Sequence, residues 1–359
     1  MSAASIAELA FDLSAGHTTQ HRLGLKFGDC LIELRSNSAE LVERLGAYFS
    51  DFTAAPDKPD LMVTALEGPD WQPDLRLTQK EPDPGKHKIK EEYADLPGGR
   101  LVRKRLTGMV FLMGAGLNLA YGPCLANDNQ VVNFINSRHI QWLLERGWLL
   151  CHASGVSKDG HGLALAGVSG AGKSTLALHL MGRDLNFVSN DRLLIHRGSN
   201  GLAMSGVAKL PRINPGTALN NPALQSVMPS QEAEEFAKLP KEELWSLEHK
   251  YDVFIDDCFG QRRFQLASGM EGLVVLSWSL NGGRPLLRQV DPAERPDLLA
   301  AFMKSPGLFY LPADQAALPG PSDYIAALAG TPMYEIAGGV DFQQAAEDCR
   351  RIMSSWAEV

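Results

Sequence analysis

The stretch Gly167-Val168-Ser169-Gly170-Ala171-Gly172-Lys173-Ser174 satisfies the pattern G-x-x-x-x-G-K-[ST] at every constrained position, with Thr175 directly after it. Glycines in such a stretch let the backbone curl so that successive N–H groups converge on phosphate oxygens. A helix beginning beside Lys173 would add its positive end. Lys173 could then reach the terminal phosphates as a cation, and the Ser174 hydroxyl could ligate Mg²⁺. The surroundings agree with this reading. The apolar residues 162–166 read as a strand, and a helical pattern runs from Lys173 to about Met181 and stops at Gly182. Residues 167–175 are therefore expected to bind a nucleotide through its phosphates. Such a loop does not by itself separate a kinase from a hydrolase, a transporter ATPase or a switch.

The polar residues on neighbouring strand ends narrow the choice. His152 stands in LLCHASGV, ahead of the loop, and Asn190-Asp191-Arg192 close the strand that follows its helix. An acid at a strand end beside the loop sits where Mg²⁺ must be held, so Asp191 is expected on the metal side with Ser174. The plainer reading of Asp191 is a residue that starts a turn. His152 could orient an acid, accept a proton or touch a phosphate; alternatively it is a hydrogen-bonded histidine at a strand end. In KLPRINPG (209–216), Lys209 and Arg212 read either as surface charges or as a clamp for the transferred phosphoryl group or an acidic substrate. Asp256-Asp257, after the apolar 253–255, imitate a second strand-end acid pair that would compete for the metal, but they lie so far beyond the loop that a substrate-side or structural role is favoured. Arg262 and Arg263 could supply a mobile cation, although arginine pairs are mostly solvated.

The order of histidine strand end, glycine loop and Asn-Asp-Arg strand end resembles HPr kinase/phosphorylase, and most closely the branch called HprK-related kinase B. The resemblance is specific over 148–216 and only architectural elsewhere. It implies ATP as the nucleotide with Mg²⁺, and Lys173, Asp191, His152, Asn190 and Arg212 as the catalytic set. It also implies an α/β fold with a P-loop core of the HPr kinase and PEP carboxykinase type, beside a smaller N-terminal α/β domain. Two departures stand in the motifs: Thr175 replaces the family's glutamate, and Asn190 replaces the first acid of its pair. A counterpart of the family's C-terminal Pro-Gly-Arg-Asn segment is missing as well, which argues against HPr as the acceptor.

The elements that must hold these groups follow from periodicity. Strands alternate with helices from about residue 148 onward, as an α/β core requires. Helices are expected near 130–145, 292–304 and 341–356, with a polar helical pattern over about 230–248 and a buried strand over 272–280. Before them, a hairpin over 23–35 and a helix capped by Ser38 form a first block. Residues 68–99 are rich in Pro, Gly and charge and end in Leu96-Pro97-Gly98-Gly99, so they read as a linker or a long surface excursion. That places a domain boundary at 99, giving an N-terminal domain 1–99 and a catalytic domain 100–359.

Of 359 residues, 45% are hydrophobic and 21% charged, enough to bury a substantial core. The net charge of −8 argues against nucleic acid as a partner, because phosphate backbones need a broad positive field. It leaves room for a local basic pocket. The five cysteines form no CxxC pair, and no signal-like N-terminus or membrane-length apolar run stands out, so a reducing cytoplasm without membrane attachment is expected. The N-terminal residues could dock a protein partner, cover the site or join copies in a homo-oligomer. The expected activity is an ATP- and Mg²⁺-dependent phosphotransferase acting on a hydroxyl of a small molecule or a protein serine. The competing readings are a nucleotide-binding regulator with little turnover and a PEP carboxykinase-like enzyme.

Overall fold

In a computed structural model, the structure describes residues 4–82, 88–114, 116–182, 184–240, 243–244, 247, 249–312 and 317–356. The fold is mixed α/β and divides into two compact units, one of Met1–Arg146 with Pro306–Ala317 and one of Gly147–Ser305 with Leu318–Val359.

The first unit is built on an eight-stranded sheet in the order β1-β2-β3-β8-β7-β6-β5-β4. Its strands are β1 (His21–Phe27), β2 (Cys30–Ser36), β3 (Leu61–Glu67), β4 (Thr78–Gln79), β5 (Glu91–Leu96), β6 (Gly99–Lys104), β7 (Val110–Gly114) and β8 (Leu117–Gly122). Helix α1 (Ile6–Ser14) begins with a capping box between Ser5 and Glu8 and packs Ile6, Ala10 and Leu13 against Leu101, Leu112 and Leu119 of the sheet. Ser38 caps α2 (Ala39–Tyr48) by accepting from the Leu41 N–H. Helix α3 (Asp128–Leu144) closes the unit.

The domain boundary expected at 99 falls inside this sheet. Leu96 pairs with Gly99 across a tight hairpin, and Gly98 takes the left-handed backbone (φ 85°) that the turn needs. The Pro-Gly-Gly signal marks a turn between β5 and β6, and the units part at Arg146 instead. Of the residues read as linker, 83–87 lie outside the described residues.

The second unit carries the glycine-rich loop. Its six-stranded sheet has the order β12-β10-β11-β18-β20-β19. The strands are β10 (Ala153–Lys158), β11 (His161–Gly167), β12 (Asn186–Ser189), β18 (Gly272–Leu276), β19 (Leu286–Val290) and β20 (Met333–Ala337). Strands β11, β18 and β20 run parallel, and the other three are antiparallel to their neighbours. A parallel centre requires cover on both faces, and β11 is buried from Gly162 to Gly167. On one side Ala164 and Ala166 meet Leu298, Leu299 and Phe302 of the helix Pro296–Phe302 and Tyr324 of the helix Pro321–Leu328. Helices α4 (Lys173–Met181) and Phe342–Ser354 pack together and against β11 as well. Phe302 is wholly buried, which contributes about 2–3 kcal/mol.

A second, four-stranded sheet has the order β17-β14-β13-β9, from β9 (Leu149–Cys151), β13 (Leu193–Gly198), β14 (Gly201–Ser205) and β17 (Ala267–Gly269). The short pair β15 (Arg212–Ile213) and β16 (Tyr251–Asp252) completes the strands. The polar pattern over 230–248 forms a helix at Ser230–Phe236, and residues 243–244 are helical as well; residues 241–242, 245–246 and 248, with Trp245, lie outside the described residues. No helix among the described residues is long and apolar enough to cross a membrane.

Candidate functional site

Strand β11 delivers the chain into the loop at Gly167, whose φ of 146° and close approach leave no room for a side chain. A Cβ there would sit 2.8 Å from the Leu276 carbonyl oxygen. Gly172 ends the loop with φ 90° and forms the N-cap of α4, and a Cβ on it would meet the Phe342 ring at 2.6 Å. Phe342 in turn stacks on His179 and stands edge-on to Trp278. The Trp278 Nε1–H donates to the Ala171 carbonyl at 2.8 Å, so an aromatic wall fixes the loop from behind. Sequence reading passed over Trp278; its place directly after a buried strand parallel to β11 was the available signal.

Lys173, only 7% exposed, donates to the carbonyls of Gly167 (2.9 Å) and Val168 (3.3 Å). Burial pushes its ammonium down to about 8, against the pull of Asp191. The Thr175 hydroxyl is 2.9 Å from that of Thr217, which ties the start of α4 to the short helix Pro215–Leu219.

A cavity of about 460 Å³ opens in front of the loop. Ser169, Gly170, Gly172, Lys173, Ser174 and Thr175 line it, together with His152, Asn190, Asp191 and Arg212. Gly167, Val168 and Ala171 are not in its wall; Val168 is exposed and the Ala171 carbonyl belongs to Trp278. Residues from distant parts of the chain thus face one space.

His152 joins β9 to β10, and its backbone N–H donates to the Phe302 carbonyl at 2.7 Å. Its Nε2 lies 3.0 Å from Asp191 Oδ1. Asn190 and Asp191 follow β12 in a turn held by serines. Ser154 donates to the Asn190 carbonyl, Ser189 donates to the Arg192 carbonyl, and the Val207 N–H donates to the Ser189 hydroxyl at 3.3 Å. The side-chain oxygen of Asn190 is buried and has no hydrogen-bond partner among the described residues. An orphaned acceptor of this kind is costly unless something donates to it.

The second oxygen of Asp191 receives the Lys304 ammonium at 2.9 Å. Burial alone would raise the Asp191 carboxyl, yet His152 and Lys304 together hold it well below the usual carboxylate range. Lys304 was not among the residues read from sequence. It follows the helix Pro296–Phe302, and Met303 bridges to Cys151 while the Lys304 N–H donates to the Leu150 carbonyl. The chain is thereby laid along β9 with its lysine beside Asp191.

Further along the wall stand Lys209 and Arg212. Arg212 pairs with Asp252 across the β15–β16 ladder (3.2 Å). Burial, with Arg192 close by, pushes Lys209 down to about 8.

Asp256 and Asp257 do not end a strand. Residues Ile255–Phe259 form a short helix, because the apolar run before them is too short to hold a ladder. Asp256 accepts from the N–H groups of Arg262 (3.0 Å) and Arg263 (3.4 Å), while Asp257 is exposed. The Arg263 guanidinium is anchored on the Leu185 carbonyl, so that arginine is not mobile. Neither acid lines the cavity.

Among the described residues no group of three or more His, Cys, Asp and Glu side chains could hold a metal ion. The cavity nonetheless offers the Ser174 hydroxyl and one carboxylate, Asp191. That set fits Mg²⁺, which takes one or two carboxylates plus substrate phosphate oxygens, provided Lys304 yields Asp191 Oδ2.

No protein-family model matches the chain, and no curated protein matches it. Among solved structures, the chain is similar to the Hpr(Ser) kinase/phosphatase from Coxiella burnetii. The identity is 14% over 58% of this chain and 94% of that one, with a TM-score of 0.30. A functional reading therefore rests on the residues of the site themselves.

Proposed function

We propose that the chain is an ATP- and Mg²⁺-dependent phosphotransferase of the HPr-kinase-like type, acting on a hydroxyl of a small molecule or a protein serine other than that of HPr. The observation that supports this most is the convergence of Lys173, Ser174, His152, Asn190 and Asp191 on one cavity in front of a glycine-rich loop. Residues 167–175 hold the nucleotide phosphates through backbone N–H groups, the end of α4 and Lys173. Ser174 and Asp191 hold the metal, which when bound offsets charge on the transferred group. Asp191, kept ionised by its two basic partners, suits a cation better than a proton. His152 fixes its direction. The buried Asn190 oxygen accepts a hydrogen bond from the acceptor hydroxyl and orients it for in-line attack.

Asn190 also supports a second reading, a nucleotide-binding regulator with little turnover, because an amide cannot act as a base at neutral pH. Transfer of labelled γ-phosphate into an extract of the source organism separates the two. Labelling that requires the protein and is lost in Lys173→Ala is the expected result. Nucleotide binding without any labelled product or ADP release would leave the regulator.

A further inference from the structure

The cavity is basic although the chain as a whole is acidic. Five basic side chains line it (Lys173, Arg192, Lys209, Arg212 and Lys250) against one carboxylate, Asp191. That carboxylate is already engaged by Lys304 at 2.9 Å. The next acid outward, Asp252, is engaged by Arg212 at 3.2 Å. Only Lys173 belongs to the glycine-rich loop. Arg192 comes from the turn after β12, Lys209 from the segment between β14 and β15, Arg212 from β15 itself and Lys250 from the residue before β16.

This crowding has an energetic signature. Half-buried Lys209 is pushed down first by burial and then by Arg192, with Arg212 adding to it against the pull of Asp191 and Asp252. Like charges gathered in a partly desolvated space repel strongly unless an anion lies between them. The phosphates of the nucleotide have their own ligands in the loop amides, the end of α4 and Lys173, so they do not account for the outer arc. The arc stands in the same cavity as the Asn190 oxygen, which has no hydrogen-bond partner among the described residues and is suited to a hydroxyl donor.

On the reading of the site given above, we propose that Arg192, Lys209, Arg212 and Lys250 form a second anion subsite, which holds a phosphate or carboxylate group of the acceptor. The acceptor is then a small hydroxyl compound that already carries such a group, and a cavity of about 460 Å³ sets its size.

Orthophosphate is the direct probe. Titrated calorimetrically into protein saturated with Mg²⁺ and a non-hydrolysable ATP analogue, it should bind to the loaded protein. Lys209→Met and Arg192→Met should each weaken that binding by about tenfold or more, while the analogue's affinity stays within about threefold. Lys209→Arg should restore phosphate binding and so exclude a folding defect. Glycerol 3-phosphate or D-glycerate should displace the orthophosphate, the effective one naming the anionic group, and glycerol should not. If the loaded protein takes up no orthophosphate, or the variants weaken the analogue as much as the phosphate, the arc serves the nucleotide and the proposal falls. Displacement by glycerol would sink it too. Should the analogue itself fail to bind wild-type protein, the nucleotide reading fails separately, and titration without nucleotide still reads the arc.

Discussion

Lys304 Nζ lies 2.9 Å from Asp191 Oδ2, although 113 positions separate the two residues. The contact gives the carboxylate a fixed cationic partner on one oxygen while His152 takes the other at 3.0 Å. On the proposed function, a divalent ion held by Asp191 would compete with Lys304 for the same atom. Lys304→Met should tighten binding of Mn²⁺, as a spectroscopic stand-in for Mg²⁺, by several-fold in the absence of nucleotide. Electron paramagnetic resonance titration reads this directly, and an unchanged or weaker Mn²⁺ affinity would count against Asp191 as a metal ligand.

Removing the loop cation separates binding from chemistry. Lys173→Ala should leave the fold intact, because among the described residues the ammonium hydrogen-bonds only to carbonyls of its own loop. Turnover should fall by about three orders of magnitude, the scale seen when a main charge-stabilising group is lost. Wild-type turnover in this variant would refute the phosphotransferase reading.

The two acid pairs give opposite expectations. Asp191→Asn should keep nucleotide affinity within about tenfold and remove most turnover, with His152→Ala falling between it and wild type. Asp256→Asn should leave turnover unchanged and cost about 1 kcal/mol, because it only loosens the turn at 262–263. Steady-state ADP release and urea denaturation of all three variants check the set. A dead Asp256→Asn beside an active Asp191→Asn would move the catalytic centre.

Gly172→Ala tests the loop's backing. The added methyl would have to fit a left-handed backbone 2.6 Å from the Phe342 ring. Denaturation should show a loss of about 1–3 kcal/mol, and nucleotide affinity should drop with it. A neutral substitution would mean that the aromatic wall yields freely.

The pH dependence follows from two lysines. Lys173 and Lys209 are both pushed down to about 8, whereas an unperturbed lysine titrates near 10.4. Anions bind the protonated forms, so as pH rises from 7 to 9 nucleotide affinity should fall by about tenfold through Lys173, and orthophosphate affinity of the loaded protein by about tenfold through Lys209. The effect on stability has the opposite sign. Between about 8 and 10.4 the unfolded chain holds protons these lysines have lost, so their contribution favours the fold as pH rises through that window. Calorimetric titration at pH 7, 8 and 9 measures the first effect, and affinity that stays level across the range would contradict it.

What could be read from sequence was what local backbone chemistry dictates. The glycine-rich stretch announces its own turn, and α4 runs over Lys173–Met181 as its pattern indicates. Asp191 stood out because it follows a short apolar strand. Lys304 had no such sign, since nothing in its neighbours marks a chain that will lie along β9. The Pro-Gly-Gly turn misled in another way. A linker and a tight hairpin share the same residues, and only the cross-strand pairing of Asp95 with Arg100 distinguishes them. Asp256 shows the limit of counting apolar residues, because three in a row can end in a helical turn as readily as in a strand.

The segment Pro306–Ala317 leaves the second unit just after Lys304 and belongs to the first. There Phe309 packs on Phe111 and Phe134, and its carbonyl accepts from Arg138. On the ribosome, the first unit therefore cannot finish its core until most of the chain has been synthesised. A fragment cut at residue 146 would carry an unfilled aromatic gap and a buried guanidinium stripped of one acceptor. The unit that opens this chain is thus among the last parts of it to be completed.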